Sequence, residues 1–271
     1  MTGDDWDGPH RAKPGLIDLT VPNAARVAEF LRGGRTHFAA DRAAAGALTA
    51  RFPAIGRVPA QARAFAARAV RYLVAEAGIT QFLDVGAGLV SFGGTHQAAQ
   101  AVDPGCRIVY TDSDPMVLAS ARALLRTAPP APVSCVSGGI ADVDAVLAQA
   151  ASALDLNRPV GVLLLSTLAR VPSLIAASRI VSSLLAAVPV GSYAVVYHLA
   201  SDLDPAMRAV ARLWNNTAAA PLTLRSRTDV LALVAGLELV PPGAVPVTDW
   251  RPDQPVPARP VPVHGVVARK L

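Results

Sequence analysis

The 271-residue chain is long enough to bury a sizeable core, and 52% hydrophobic against 17% charged residues excludes a disordered protein. Its formal charge of +5 comes almost wholly from arginine, with Lys13 and Lys270 the only lysines. The arginines are scattered, without blocks or interleaved aromatics, so no nucleic-acid partner is expected. Cys106 and Cys135 stand alone without CxxC or Cys/His spacing, which excludes a disulfide scaffold and gives no metal site.

Residues 1–20 read as a flexible arm, acidic and polar at the start with no apolar core like that of a signal peptide, so a cytoplasmic protein is expected. From Pro22 a helix begins, capped by Asn23 and stopped by Gly33-Gly34. "RTHFAADRAAAGALTARFP" is a second helix closed near Pro53. "PAQARAFAARAVRYLVAEAGI" is a third, with Ala62, Phe65, Ala69 and Leu73 on one face and Arg63, Arg68 and Arg71 on the other. Residues 21–78 thus form a helical cap ahead of the first strand. Strand and helix then alternate over residues 79–271. The strands are Phe82–Val85, Arg107–Thr111, "PVSCVSG", residues 159–167 and "SYAVVYHL". The helices are Thr95–Val102, Pro115–Arg126, Asp142–Ala153 and Ser173–Ala187, with further helices around residues 205–220. Ser226 and Asp229 form a capping box for a helix through Ala235. "LELV" and "HGVVARK" are two last strands, separated by a proline-rich stretch expected as an extended loop. The charge-free run Ile180–Ser201 has the length of a membrane span, but Pro189 and Gly191 divide it into helix end, turn and strand. Five strand-then-helix units argue a parallel sheet covered on both faces.

The chemistry centres on "QFLDVGAGLVSFGGTHQ". Gly86 and Gly88 let the backbone approach a ligand closely, at the carboxyl end of the first strand. A dinucleotide fingerprint would carry a third glycine or alanine where Ser91 stands, which weakens a nicotinamide reading. Asp84 sits at the strand end and can accept hydrogen bonds from a ligand amine. Asp112 ends the second strand, where a carboxylate can take both ribose hydroxyls. Acid, glycine turn, acid is the pattern of S-adenosylmethionine sites, whose ammonium and sulfonium suit carboxylates.

The blocks "PNAARVAEFLRGGRTHFAADRAAA", "FLDVGAGLVSFGGTHQAAQAVDPGCRIVYTDSDPMVLASARALL", "GSYAVVYHLASDLDP" and "TLRSRTDVLALVAGLELVPPGAVPVTDWRPD" resemble the actinobacterial S-adenosylmethionine-dependent methyltransferase family once listed as a domain of unknown function. The resemblance implies an α/β fold of class I methyltransferase type, a Rossmann-like seven-stranded sheet with its last strand antiparallel and an N-terminal helical cap. Matching positions include Arg26, Gly33, Gly34, Phe38, Asp41, Asp84, Gly86, Gly88, His96, Asp112, Asp114 and His198. The expected cofactor set is Asp84, Gly86, Ala87, Gly88, Asp112, Ser113, Gly138, Ser166, Arg26 and Gly33. The chain departs from the family at Ala28 and Phe30, where tyrosines are common, at Gly139, where an acid would meet the adenine amino group, and at Ala169, where a histidine is usual.

Methyl transfer from a sulfonium is an in-line displacement, so the enzyme chiefly positions and desolvates; a base serves only an acceptor that must lose a proton. His198 and His37 are the candidate catalytic bases, with Tyr197 and Asp41 beside them. The expected function is methyl transfer to a small molecule of secondary metabolism, without nucleic-acid or membrane partners and with a homodimer allowed. The alternatives are an S-adenosylmethionine-binding protein without methyl transfer, serving regulation or a partner, and an NAD-dependent oxidoreductase.

Overall fold

Strands that are apolar at consecutive positions need cover on both faces of their sheet. In the computed structural model, which describes residues 18–90, 94–127, 132–253 and 259–271, such strands form one sheet. β1 (Gln81–Val85), β2 (Arg107–Asp112), β3 (Val133–Ser137), β4 (Gly161–Leu165) and β5 (Tyr193–Leu199) run parallel in the order 3-2-1-4-5. Beyond β5, the last strand, β8 (Val263–Arg269), is antiparallel, with Val195 opposite Val267. Its far edge holds β6 (Glu238–Leu239) and β7 (Val245–Pro246), both antiparallel to it. Among the described residues eight strands therefore stand where seven were expected, because two short pieces share the outermost position. The second lies inside the stretch expected to be only a loop. Strand order reverses at β1, so the carboxyl ends of β1 and β4 open into a crevice.

Alternation along each strand sends residues to two separate cores. Leu83, Val109, Val162, Leu164, Val196 and Val266 face α6 (Val143–Ala150), α7 (Leu174–Ala186) and α9 (Arg227–Leu233). Phe82, Ile108, Leu163, Val195 and Val267 join the opposite core, with α3 (Val58–Ala75) and Trp250. On α3, Pro59 fits the first turn, where no backbone N–H is needed. Phe65 of α3 packs against β8 at Gly265, where a Cβ would stand 2.7 Å from the ring. The missing side chain is what lets the helix close down on the sheet. Truncating Phe65 to Ala is expected to cost about 3–5 kcal/mol, the usual range for emptying an aromatic core site.

α3 is covered on more than one side. Arg68, on the face of α3 opposite the apolar stripe, is buried and donates to the carbonyls of Trp250 (2.9 Å) and Val247 (2.5 Å). The proline-rich segment is thereby drawn onto the helix as packed cover, while residues 254–258 lie outside the described residues. α4 (Thr95–Gln100) and α5 (Pro115–Thr127) follow β1 and β2, and α8 (Met207–Asn215) lies in the region around 205–220.

The cap is built from α1 (Ala24–Leu31) and α2 (Ala39–Arg51). Asn23 caps α1 by accepting from the Ala25 and Arg26 N–H groups. Asp41 is buried, yet it accepts from Asn23 N, Phe38 N and Arg26 Nε at 2.8–2.9 Å, so its charge is matched by donors. Asn23 Nδ2 donates to Asp114 at 2.9 Å, which ties the cap to the end of β2. Ile180–Ser201 resolves into the end of α7, a turn at Gly191 (φ +85°) and β5. No helix among the described residues is long and apolar enough to cross a membrane.

Candidate functional site

Two turns make the floor of the site. After β1, Gly86 adopts φ +71° and Gly88 φ +63°. The Gly86 and Ala87 N–H groups donate to Thr111 O, and Gly88 N–H donates to Asp112 Oδ2 at 2.9 Å. A Cβ on Gly86 would land on the Thr167 side chain, so glycine is required there by both conformation and space. After β4, Ser166 takes the left-handed conformation (φ +66°), unusual for a residue with a Cβ, and turns the chain into the short helix Thr167–Arg170.

Above these turns lies a cavity of about 270 Å³. Its floor is Asp84, Gly86, Ala87, Gly88, Thr95 and Ser166; its roof comes from α1, from α3, from Val210 and Trp214 of α8 and from Ala220, Pro221 and Leu222 beyond it. Most of the wall is apolar, with Val27, Leu31, Leu48, Ile55, Val58 and Trp214 contributing. Arg32, Arg63, Arg170, Tyr110 and Tyr197 bring the polar groups.

Asp84 is the chemical centre of the floor. Its Oδ2 accepts from Thr95 Oγ1 at 2.6 Å, while its Oδ1 is buried and accepts no hydrogen bond among the described residues. Burial pushes this carboxyl up to about 6, against the pull of Thr95 and Arg63. A buried acceptor without a donor is costly, and a hydrogen-bond donor from a ligand would satisfy it. Tyr110 is held from behind: its hydroxyl accepts from His96 N–H and meets His96 Nδ1, both at 2.8 Å. Burial raises the Tyr110 phenol far above its ordinary value and lowers His96.

Six of the sequence-derived candidates meet in the cavity wall, namely Asp84, Gly86, Ala87, Gly88 and Ser166 of the cofactor set and Tyr197 of the candidate bases. The others stand elsewhere. Asp112 is beside the turn rather than in the wall, with one oxygen on Gly88 N and the other on Asp114 N, and burial raises its carboxyl. Gly138 donates its N–H to Asp112 O, and Ser113 lies against Gly139. Arg26 is a clamp inside the cap, bound to Asp41 and to Val21 O. Gly33 (φ +79°) ends α1 at an exposed position. Ser91 lies outside the described residues.

Neither histidine proposed as a base reaches the cavity wall. Tyr197 and His198 are neighbours on β5, and alternation sends them to opposite faces, Tyr197 into the cavity and His198 away from it. His198 is buried with Arg225, whose Nη1 lies 2.6 Å from His198 Nε2, and burial together with that guanidinium lowers the imidazole to about 4. His37 packs edge-on against Phe30 and meets Arg42 at 3.3 Å. The expectation for His198→Gln, which keeps an acceptor for Arg225, is cofactor affinity within about twofold of the parent by calorimetry; a tenfold loss, about 1.4 kcal/mol, would put His198 back at the site.

Sequence reasoning missed Arg32, Arg63, Thr95, Arg170 and Trp214 as wall residues. Arg63 had a visible signal only in hindsight, as an arginine one residue from the apolar stripe of α3. Among the described residues no group of three His, Cys, Asp or Glu side chains could hold a metal ion.

The chain matches the S-adenosyl methyltransferase family over residues 10–271. A candidate methyltransferase from Thermobifida fusca is 34% identical, superposes with a TM-score of 0.87, and the match covers 95% of this chain and 97% of that one. A DUF574 family protein from Streptomyces avermitilis is 33% identical with a TM-score of 0.88, covering 94% of this chain and all of that one. Among curated proteins none matches. Fold, glycine turn and sequence agree: the chain belongs to the S-adenosyl methyltransferase family, whose cofactor is S-adenosylmethionine.

Proposed function

We propose that the chain transfers a methyl group from S-adenosylmethionine to a small molecule enclosed between the glycine turns and the helical cap. The observation that carries this reading is the single cavity that runs from Asp84 on the floor to Val27, Ile55 and Trp214 in the roof. Its size and mainly apolar wall suit a small molecule held out of water. The residues fit the cofactor on their own chemistry, because Asp84 Oδ1 is a buried acceptor lacking a donor and Gly86 has no room for a side chain. The cofactor supplies an electrophilic methyl group on a sulfonium. Asp84 would hold the ammonium, and the backbone at Gly86 to Gly88 would lie against the nucleoside. Asp112 would receive the ribose through its remaining lone pairs, since each carboxylate oxygen can accept more than the one bond it makes here. The cap excludes water and orients the acceptor, which is most of what an in-line displacement requires. The family replaces the nicotinamide alternative.

Calorimetric titration of the full chain with S-adenosylmethionine, S-adenosylhomocysteine and NAD tests the reading. Binding of the first two with none of the third is expected; NAD binding, or silence towards both sulfur compounds, would overturn it. Ala169, in the cavity wall where the resembled family carries a histidine, favours the second reading of binding without transfer. Release of S-adenosylhomocysteine in the presence of an acceptor separates the two.

The pH dependence follows from Asp84. Its carboxyl titrates near 6 in the folded chain, above its ordinary 3.8, so it gains a proton as pH falls through 6 and an ammonium then loses its charged partner. The Kd of S-adenosylmethionine is expected to rise below pH 6, by up to about tenfold per unit, while that of methylthioadenosine, which has no ammonium, stays flat. Parallel curves for the two ligands would remove Asp84 from the amino-acid end of the site.

A further inference from the structure

Two side chains stand between the ligand cavity and a second hollow. Leu48 of α2 and Trp214 of α8 line the cavity, and the same two line a hollow of about 380 Å³ between those helices. Leu48 and Trp214 are buried, whereas Thr20, Ala47 and Thr217 around the hollow are exposed. The two buried side chains are therefore its bottom, and their other sides are the roof of the cavity. From α2, Ala40, Ala43, Ala44 and Ala47 share one helical face towards the hollow, and their methyl groups leave the space behind the indole unfilled.

Trp214 is held as a fixed wall. Its Nε1 donates to Ala220 O at 2.9 Å, and its own carbonyl accepts from the Thr217 and Ala218 N–H groups. Asn215 closes the loop behind it, accepting from Leu222 N at 2.7 Å and donating to Leu222 O at 3.2 Å. Thr223 N–H then donates to Ala169 O at 2.8 Å, which ties the same loop to the floor of the cavity. The inner cavity of about 270 Å³ must also take the methionine end of the cofactor that Asp84 holds in the proposed function. Pockets for drug-sized molecules run to about 300–1,000 Å³, so what remains beside Val27, Ile55 and Trp214 is short and apolar.

We propose, resting on the methyltransferase reading above, that Trp214 sets the length of the acceptor, a compact molecule whose apolar body ends against the indole. Longer homologues are turned away by the wall of Trp214 and Leu48. The hollow behind that wall is not a site of its own in this chain; it is the room that shortening either side chain adds. Joined to the cavity, it would more than double the space open to a ligand. Trp214 is thus a specificity residue that touches the acceptor and takes no part in the transfer of the methyl group.

The test is a calorimetric titration of the full chain, first with S-adenosylhomocysteine and then, in that complex, with neutral 4-n-alkylbenzyl alcohols from methyl to octyl. In the parent, affinity is expected to climb about fourfold per methylene and to stop or fall at the tail that reaches Trp214. In Trp214→Ala the climb should continue past that length, so that the octyl compound gains about tenfold or more on the parent's best tail. Leu48→Ala opens the wall from the other helix and should do the same, and it carries the test alone if Trp214→Ala does not fold. Adding Ala47→Phe, at an exposed position facing the hollow, should bring the parent's limit back. Each readout compares two ligands on one protein, so a loss of folded material does not imitate it. A parent without a limit, the same limit in the opened variants, or no binding by any alcohol would overturn the proposal and leave the methyltransferase reading standing. Failure of S-adenosylhomocysteine to bind in the first step would bring down that reading, and this one with it.

Discussion

Asp84→Asn is expected to raise the stability of the free protein and to cost about a hundredfold in S-adenosylmethionine affinity. The opposite signs share one cause. Burial has pushed the Asp84 carboxyl up to about 6, so at pH 7 the folded chain carries a charge it would rather neutralise. A group whose folded pKa is raised destabilises the native state above that pKa. The cost fades as pH falls through 6 and is gone below the ordinary 3.8. Its size at neutral pH is about 3 kcal/mol, and the asparagine amide does not incur it. The amide oxygen still accepts from Thr95, so the local hydrogen bond survives. What vanishes is a charged acceptor for an ammonium, and a buried hydrogen bond to a charged group is worth about 2–3 kcal/mol, hence the hundredfold. Thermal melting of the free variant and calorimetry of the cofactor check the two halves. A variant both destabilised and still tight-binding would contradict the account.

The second large effect lies away from the ligand. Arg225 is buried and its guanidinium donates to Leu168 O (2.9 Å), Val171 O (2.6 Å) and Ser173 O (3.5 Å). It also meets His198 Nε2, while Nδ1 of that ring faces Leu199 O at 3.0 Å, which leaves Nε2 free to accept. One side chain therefore fixes the segment after β4 that carries Ser166, Thr167, Ala169 and Arg170 into the cavity. Replacing it with Met fills similar space and strands several buried carbonyls at once. We expect a loss of about 3 kcal/mol, a fall in Tm of roughly 8 °C, and weaker cofactor binding because the floor loosens. Arg225→Lys should recover part of the stability, since an ammonium keeps three donors without the fork geometry. Unchanged melting of Arg225→Met would show that this segment is held by other contacts.

The alternation of strands and helices and the glycine turn of Gly86 and Gly88 beside Asp84 were legible because each is a local pattern: an apolar run, a turn, an acid. The reversed last strand came only with the family resemblance, and the strand order was not read. Contacts that join distant segments were not. Arg68 and Arg63 occupy the polar face of α3 in any helical projection, and only the packing of the proline-rich segment and the cap around that helix turns the one into a buried clamp and the other into a wall residue. His198 was misplaced by a single residue of strand alternation, which no pattern in "VVYHL" could settle, because both faces of β5 are covered. Asp112 was read as the carboxylate for the ribose, and nothing local showed that it also accepts from Gly88 N–H and so closes the glycine turn. Arg225 offered only an arginine before a capping box. Its weight comes from three carbonyls more than fifty positions upstream.

The most direct measurement is a crystal structure of the full chain with S-adenosylhomocysteine. The account predicts the ligand's ammonium within hydrogen-bond distance of Asp84 Oδ1, about 2.8–3.0 Å, and the sulfur turned towards the space beneath Arg63 and Tyr197. A ligand bound with Asp84 Oδ1 still lacking a donor, or seated outside the cavity, would contradict it.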